Sequence, residues 1–161
     1  MRSYLDNSAT TRPFDAVVDA MADAMRAGYY NPSSLYRPAI DVENELSRLR
    51  RDILRCLPGA AGEVYFTSGG TEGDNFAVFS VAQKYHKRGR HIITTAVEHH
   101  AILHPIGALE AQGFEVTYLQ PGEDGTISPA QLSAALRKDT NLVSIMKVNN
   151  ETRAVNDNHR L

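Results

Sequence analysis

The sequence has no tryptophan and a single cysteine, Cys56, among its 161 residues. One cysteine excludes an internal disulfide and fits a reducing compartment. No apolar run approaches the roughly 20 residues that a membrane helix needs. The opening Met1-Arg2-Ser3-Tyr4-Leu5-Asp6 lacks the apolar stretch of a secretory leader. A cytoplasmic protein without a membrane partner is therefore expected. Charge of one sign is also missing: 17 basic residues face 19 acidic ones, for a net of −2, which removes the electrostatic case for nucleic acid. The dinucleotide fingerprint G-x-G-x-x-G, the phosphate-loop lysine motif and H-E-x-x-H do not occur. His100 and His104 are four apart, but no glutamate or cysteine pair completes a ligand set, so no metal is expected. Internal repeats and low-complexity linkers are absent too. What remains is an ordinary globular composition, 42 % hydrophobic, in a chain long enough to bury one core.

From Glu63 onward, strand-like and helical stretches alternate. Residues 63–67, 91–95, 114–119 and 141–148 favour strands. Residues 71–88 carry Val78, Val81 or Ala82, and Tyr85 at helical spacing. Residues 100–112 read as a helix closed by Gly113, with Pro105 near its first turns as a source of kinking or delay. Ser128-Pro129-Ala130-Gln131 forms a capping box with proline at the first helical position, and Leu132, Ala135 and Leu136 make the inner face of the helix that follows. Such alternation predicts a largely parallel sheet with helices on its faces. Before Glu63 the chain is helical over 14–27 and 37–57. The second stretch sets Val42, Leu46, Leu49, Ile53 and Leu57 on one face, which predicts that Cys56 is a buried small hydrophobe rather than a nucleophile. Asn31-Pro32-Ser33-Ser34 between them is a turn.

Three turns then carry chemistry. Ser68-Gly69-Gly70-Thr71 runs from a strand end into a helix start. Glycines there let a ligand approach the backbone, and the free amides and dipole of the helix favour an anion, typically phosphate. By itself such a turn is more often plain geometry, and Glu72 and Asp74 can cap the helix instead. Glu98-His99-His100 follows the second strand. A histidine at that place stacks on a flat heteroaromatic ring or moves protons near neutral pH; alone, it is a surface pair. Val148-Asn149-Asn150-Glu151 ends the last strand and either binds a hydroxyl or carbonyl or makes an Asx turn. In a parallel sheet all three face the crevice beyond the carboxyl ends of the strands, and this common placement favours the ligand-binding reading.

Five stretches carry a resemblance: Tyr4 to Thr11 (Y-L-D-N-S-A-T-T), Asn31 to Ser34, Phe66 to Glu72 (F-T-S-G-G-T-E), Glu98-His99 and Val148 to Glu151. In their order and spacing they resemble the cysteine desulfurases, which belong to the class V aminotransferases of fold type I and use pyridoxal 5′-phosphate. The resemblance implies an α/β fold, an incomplete and mainly parallel sheet flanked by helices that matches the first half of the large domain of that fold. Residues 1–13 would be an N-terminal segment on the small-domain side, and 14–161 a partial cofactor-binding domain. It further implies that Gly70 and Thr71 bind the cofactor phosphate, that His99 stacks on the pyridine ring and that Asn150 contacts the 3-hydroxyl. Asn31 to Ser34 would lie near an active-site mouth, because the family is dimeric.

The sequence also departs from the family. Tyr36 stands where a histidine is usual, and Arg153 where a glycine is usual, although arginine does not take a positive φ cheaply. The tail from Asn156 to Leu161 resumes no family pattern. The aspartate for the ring nitrogen, the lysine that anchors the cofactor, the sulfur-accepting cysteine and the small domain all belong to positions beyond 161, and Lys147 sits in no matching motif. No catalytic residue is therefore assigned within the chain. The implied reading is a truncated protein related to the desulfurases, which act on L-cysteine: weak or absent cofactor binding, inactivity unless a second half complements it, and a homo-oligomer or a complementing C-terminal partner. Two alternatives stand beside it, a degenerate non-catalytic module used in binding or oligomerisation, and a fragment of another class V aminotransferase or lyase.

Overall fold

Three short parallel strands, β1 (His91–Thr95), β2 (Glu115–Leu119) and β3 (Thr140–Ser144), form the sheet in the order β2-β1-β3. In the computed structural model, residues 3–57, 59 and 61–157 are described. They fall into two units, Met1–Phe66 and Thr67–Leu161.

In the first unit, α1 spans Asp15–Ala27 and α2 spans Arg37–Arg55. Gly28 closes α1 through its amide on the Ala24 carbonyl at 2.8 Å, and Pro38 opens α2, where its missing N–H costs no helical bond. Asn31 makes the expected turn, its Oδ1 accepting from the Ser33 amide at 3.0 Å. The outer face of α2 is laced by Arg37–Asp41, Arg48–Glu45, Arg48–Asp52 and Arg55–Asp52 pairs, which favour the helix but, being exposed, add little. The apolar face is amphipathic as expected but not enclosed: Leu49, Ile53 and Leu57 are 37, 40 and 54 % exposed. Cys56, expected inside, is exposed at the end of α2. Ala39 is the helices' sole buried residue, so among the described residues of this unit nothing encloses the cysteine.

In the second unit, α3 covers Gly70–Tyr85, β1 His91–Thr95, α4 His100–Ala111, β2 Glu115–Leu119, α5 Pro129–Ala135 and β3 Thr140–Ser144. Strand β1 is central and buried along its whole length, and its side chains alternate between two cores. Ile92 joins Val78, Ala82, Ile106, Leu109 and Phe114, while Ile93 joins Leu119, Ile127 and Leu132. Burying each isoleucine stabilises the unit by about 1.5–3 kcal/mol. The Ser128–Gln131 capping box forms as expected. Gly113, at φ 86°, follows α4. A Cβ on Gly89 would collide with the Asp139 carbonyl, so the chains entering β1 and β3 can pass this closely only with glycine there.

Two strand expectations need correction. Residues 63–67 are not in the sheet, which consists of β1, β2 and β3; a β-favouring run becomes a strand only where a ladder meets it. The last strand ends at Ser144 rather than Val148, because the Met146 amide is bonded to the Glu98 side chain at 2.8 Å. Beyond it, Val148 makes an isolated antiparallel bridge with Val155. Residues 158–161, in the tail where no family pattern was expected, lie outside the described residues. Among the described residues, no helix is long and apolar enough to cross a membrane.

Candidate functional site

The glycine turn opens α3. The first helical bond runs from the Gly73 amide to the Gly69 carbonyl at 3.1 Å, so the amides of Gly70, Thr71 and Glu72 precede the ladder and have no partner within it. Apart from the adjoining chain and the helix's own backbone, no atom among the described residues lies within 4 Å of a Cβ built on Gly69 or Gly70, which leaves the backbone open to a ligand. Glu72 turns back, its Oε2 accepting from the Ser68 amide at 2.5 Å. That bond holds the Glu72 carboxyl below the usual carboxylate range. The self-capping suggested by the sequence is thus real, but it takes up the amide that precedes the helix rather than those of Gly70 and Thr71.

His99 is the N-cap of α4. Its Nδ1 accepts from the Ala101 amide at 3.1 Å, so this nitrogen carries no proton while the cap is intact. The ring is exposed and has the His100 ring edge-on, 6.4 Å between centroids. Pro105 does not delay the helix, which begins at His100. It does remove the N–H that would bond to the Ala101 carbonyl four residues back. Asn75 of α3 takes that place: its Nδ2 donates to the Ala101 carbonyl at 3.2 Å and to the Thr71 carbonyl at 2.8 Å. A proline in one helix is therefore answered by an asparagine in the helix before it, and the N-terminal parts of α3 and α4 are tied together.

Past the ends of β1 and β3 two buried polar side chains bridge the gap. Glu98 is 7 % exposed; its Oε1 accepts from the Thr95 hydroxyl at 2.9 Å and the Met146 amide at 2.8 Å. Burial pushes its carboxyl up; the Met146 amide and the Thr95 hydroxyl pull it down, and the Asp74 charge adds to the rise. Asn149, 5 % exposed, donates from Nδ2 to the Val97 carbonyl at 2.9 Å. Its Oδ1 accepts from the amides of Glu151 and Thr152 at 2.9 and 2.8 Å. Asn156 secures the return of the chain, donating to the Met146 carbonyl at 2.9 Å and accepting from the Ile127 amide at 2.8 Å.

These bonds frame a shallow cavity of about 150 Å³ lined by Val97 to His100 and Asn149 to Thr152. The structure thus brings His99 and Asn150 together, both exposed at its wall. Gly70 and Thr71 are not in that lining; they stand on the neighbouring helix start, joined to α4 through Asn75. His100 and His104 pack ring against ring at 5.0 Å. Among the described residues no group of three or more metal-ligating side chains converges. Arg153 holds φ 64°, the single non-glycine residue with positive φ among those described. The strain foreseen for an arginine at a glycine position is therefore present, in the turn organised by Asn149. Sequence reading assigned no role to Asn75, Glu98 or Asn156. The proline inside a helix was the available signal for Asn75, since it leaves a carbonyl in need of a donor; Glu98 stood in the quoted Glu98-His99 pair without a role of its own, and Asn156 carried no signal.

Comparison with known proteins follows the same outline. The Aminotransferase class-V family model matches residues 3–161. The chain is 46 % identical over 148 residues to the cysteine desulfurase IscS of Methanosarcina thermophila, covering 92 % of this chain and 37 % of that protein. It is 45 % identical over 157 residues to IscS of Azotobacter vinelandii, covering 96 % and 39 %. Among solved structures, a NifS-like protein superposes with a TM-score of 0.91 at 36 % identity, over 98 % of this chain and 43 % of that one. DndA from Streptomyces lividans superposes with 0.81 at 39 % identity, over 96 % and 44 %. The chain thus spans about two fifths of the length of the relatives it matches.

Proposed function

This chain belongs to the class-V aminotransferase family, and we propose that it supplies one wall of a pyridoxal 5′-phosphate site in a protein of the cysteine desulfurase type. The observation that carries the proposal is the meeting of His99 and Asn150 in one cavity at the ends of β1 and β3, beside the glycine-led start of α3. The donor set fits a phosphorylated heteroaromatic ring. Gly70 and Thr71 offer free amides and a hydroxyl to a phosphate at a helix start. The exposed His99 ring, oriented through its Nδ1, stacks on the pyridine. Asn150 donates its side-chain amide to the 3-oxygen. When bound, pyridoxal phosphate supplies an electron sink for charge developing at the α-carbon of an amino acid. What these residues do is bind and orient; none of them is a nucleophile or a covalent anchor.

In a complete site the substrate is L-cysteine and the reaction a sulfur transfer. Residues 1–161 alone bind the cofactor weakly and do not turn cysteine over. Residues 1–13 belong to the small-domain side, and the remainder to the cofactor-binding domain. A second copy, or a stretch of chain supplying the rest of the fold, covers the apolar side chains left exposed here, such as Met21, Met25, Leu35 and Phe76. A cytoplasmic location fits the single cysteine.

The test is a spectroscopic titration of the chain with pyridoxal 5′-phosphate, followed by borohydride reduction and mass spectrometry. Saturable binding that His99→Ala and Asn150→Ala each weaken several-fold supports the proposal. Affinity unchanged in both variants overturns it, as does a specific pyridoxyl adduct on Lys147 accompanied by sulfide release from cysteine.

A further inference from the structure

The pairing of β1 with β3 has its last rung at Thr94 and Ser144. Beyond that rung the two chains diverge unless something else holds them, and it is there that they carry His99 and Asn150. Asn149 spans the gap. Its Nδ2 reaches the Val97 carbonyl at 2.9 Å and the Met146 sulfur at 3.2 Å, and its Oδ1 accepts from Glu151 and Thr152. Its backbone amide donates to the Ala154 carbonyl, and its carbonyl accepts from the Arg153 amide, both at 2.9 Å. Every polar atom of Asn149 is thus engaged within the protein, and the side chain is buried, so it does not serve as a ligand contact. Glu98 makes the parallel tie to Met146.

We propose that Asn149 is a positioning residue: it continues the β1–β3 pairing past the end of the sheet through its side chain, and so sets the separation between the His99 ring and the Asn150 amide. The inference rests on the function proposed above only for what occupies that separation. The two halves of the side chain have different tasks. Its oxygen shapes the 149–152 turn, while its nitrogen binds that turn to the His99 segment.

Asn149→Asp separates these tasks, because a carboxylate still accepts from Glu151 and Thr152 but no longer donates to Val97. Two readouts are taken on the full 161-residue chain: affinity for pyridoxal 5′-phosphate, and hydrogen exchange at the amides of Ala101, Ile102 and Leu103, which bond to His99. The expected result is at least a tenfold loss of affinity and at least tenfold faster exchange at those three amides, with Glu151 and Thr152 exchanging within twofold of the wild type. Exchange at the three amides within twofold of the wild type overturns the inference, and a loss of affinity without it makes Asn149 a direct ligand contact instead. Should the wild type bind no pyridoxal 5′-phosphate, the proposed function fails while the exchange comparison still decides the role of Asn149. If the aspartate variant does not fold, Asn149→Ser, which keeps an acceptor but is too short to reach Val97, is compared in the same way.

Discussion

Replacing Asn75 by alanine isolates the contact that answers Pro105. The Asn75 amide donates to two carbonyls, but their dependence on it differs. The Thr71 carbonyl keeps the backbone N–H of residue 75 as its helical donor. The Ala101 carbonyl belongs to a residue 5 % exposed, and its helical donor would be the N–H that Pro105 lacks. Leaving such a group unsatisfied costs about 1–3 kcal/mol. Alanine returns up to about 0.7 kcal/mol in helix propensity. With the full return the expected net loss is roughly 0.3–2.3 kcal/mol, and each kcal/mol lowers Tm by roughly 2–4 °C for a chain of this size. Pro105→Ala restores an N–H four residues after Ala101. In that background the same Asn75→Ala change should cost at least about 1 kcal/mol less, within the range of couplings seen between contacting residues. Urea unfolding of the four proteins of this cycle, followed by circular dichroism and compared at equal m values, measures the coupling. Equal penalties in the two backgrounds, within about 0.3 kcal/mol, would refute the idea that Asn75 stands in for the missing helical bond.

Two further changes probe other parts of the second unit. Arg153→Gly relieves a left-handed conformation that costs a side chain about 1–2 kcal/mol, against an entropic loss of about 0.5–1 kcal/mol for glycine; a stabilisation of about 0.5–1 kcal/mol in urea unfolding is expected, and destabilisation would show that the arginine side chain itself matters. His91 is fully buried in β1, bonded to Thr140 at 2.9 Å and Thr117 at 2.8 Å, and burial, with the nearby Arg137 charge, holds its pKa below the ordinary histidine value. Its neutral form is therefore favoured in the folded chain, so its contribution is complete above about pH 6.5 and is lost as pH falls through the lower folded value. The stability advantage of the wild type over His91→Gln should shrink between pH 7.5 and pH 5, and a constant difference across that window would count against the argument.

Much of the architecture was legible because it is local. The β1 run is rich in β-branched residues, Gly113 stops α4, and the Ser128–Gln131 box starts α5, each through contacts a few residues apart. The order of glycine turn, Glu98-His99 and paired asparagines likewise pointed to one edge of a parallel sheet, and His99 and Asn150 do share a cavity. What was misread depended on distant neighbours. Residues 63–67 have strand composition, yet pairing is decided by whichever chain lies alongside. Cys56 sits on a helix of good apolar spacing, yet burial requires a surface opposite, and in the first unit the helices bury Ala39 alone.

By itself, then, the amino-acid order determined the helices, the three strands that do pair, though not where the last of them ends, and the family whose pattern the turns follow, because propensities, caps and turn chemistry act within a few residues. Only the tertiary structure decided that Asn75 satisfies the carbonyl left without a helical donor by Pro105, and that Glu98 and Asn149 hold together two segments beyond their last ladder rung. Those outcomes join residues 26 to 52 positions apart, and a hydrogen bond at that separation exists only once the packed core has brought its donor and acceptor within 3 Å or so of one another.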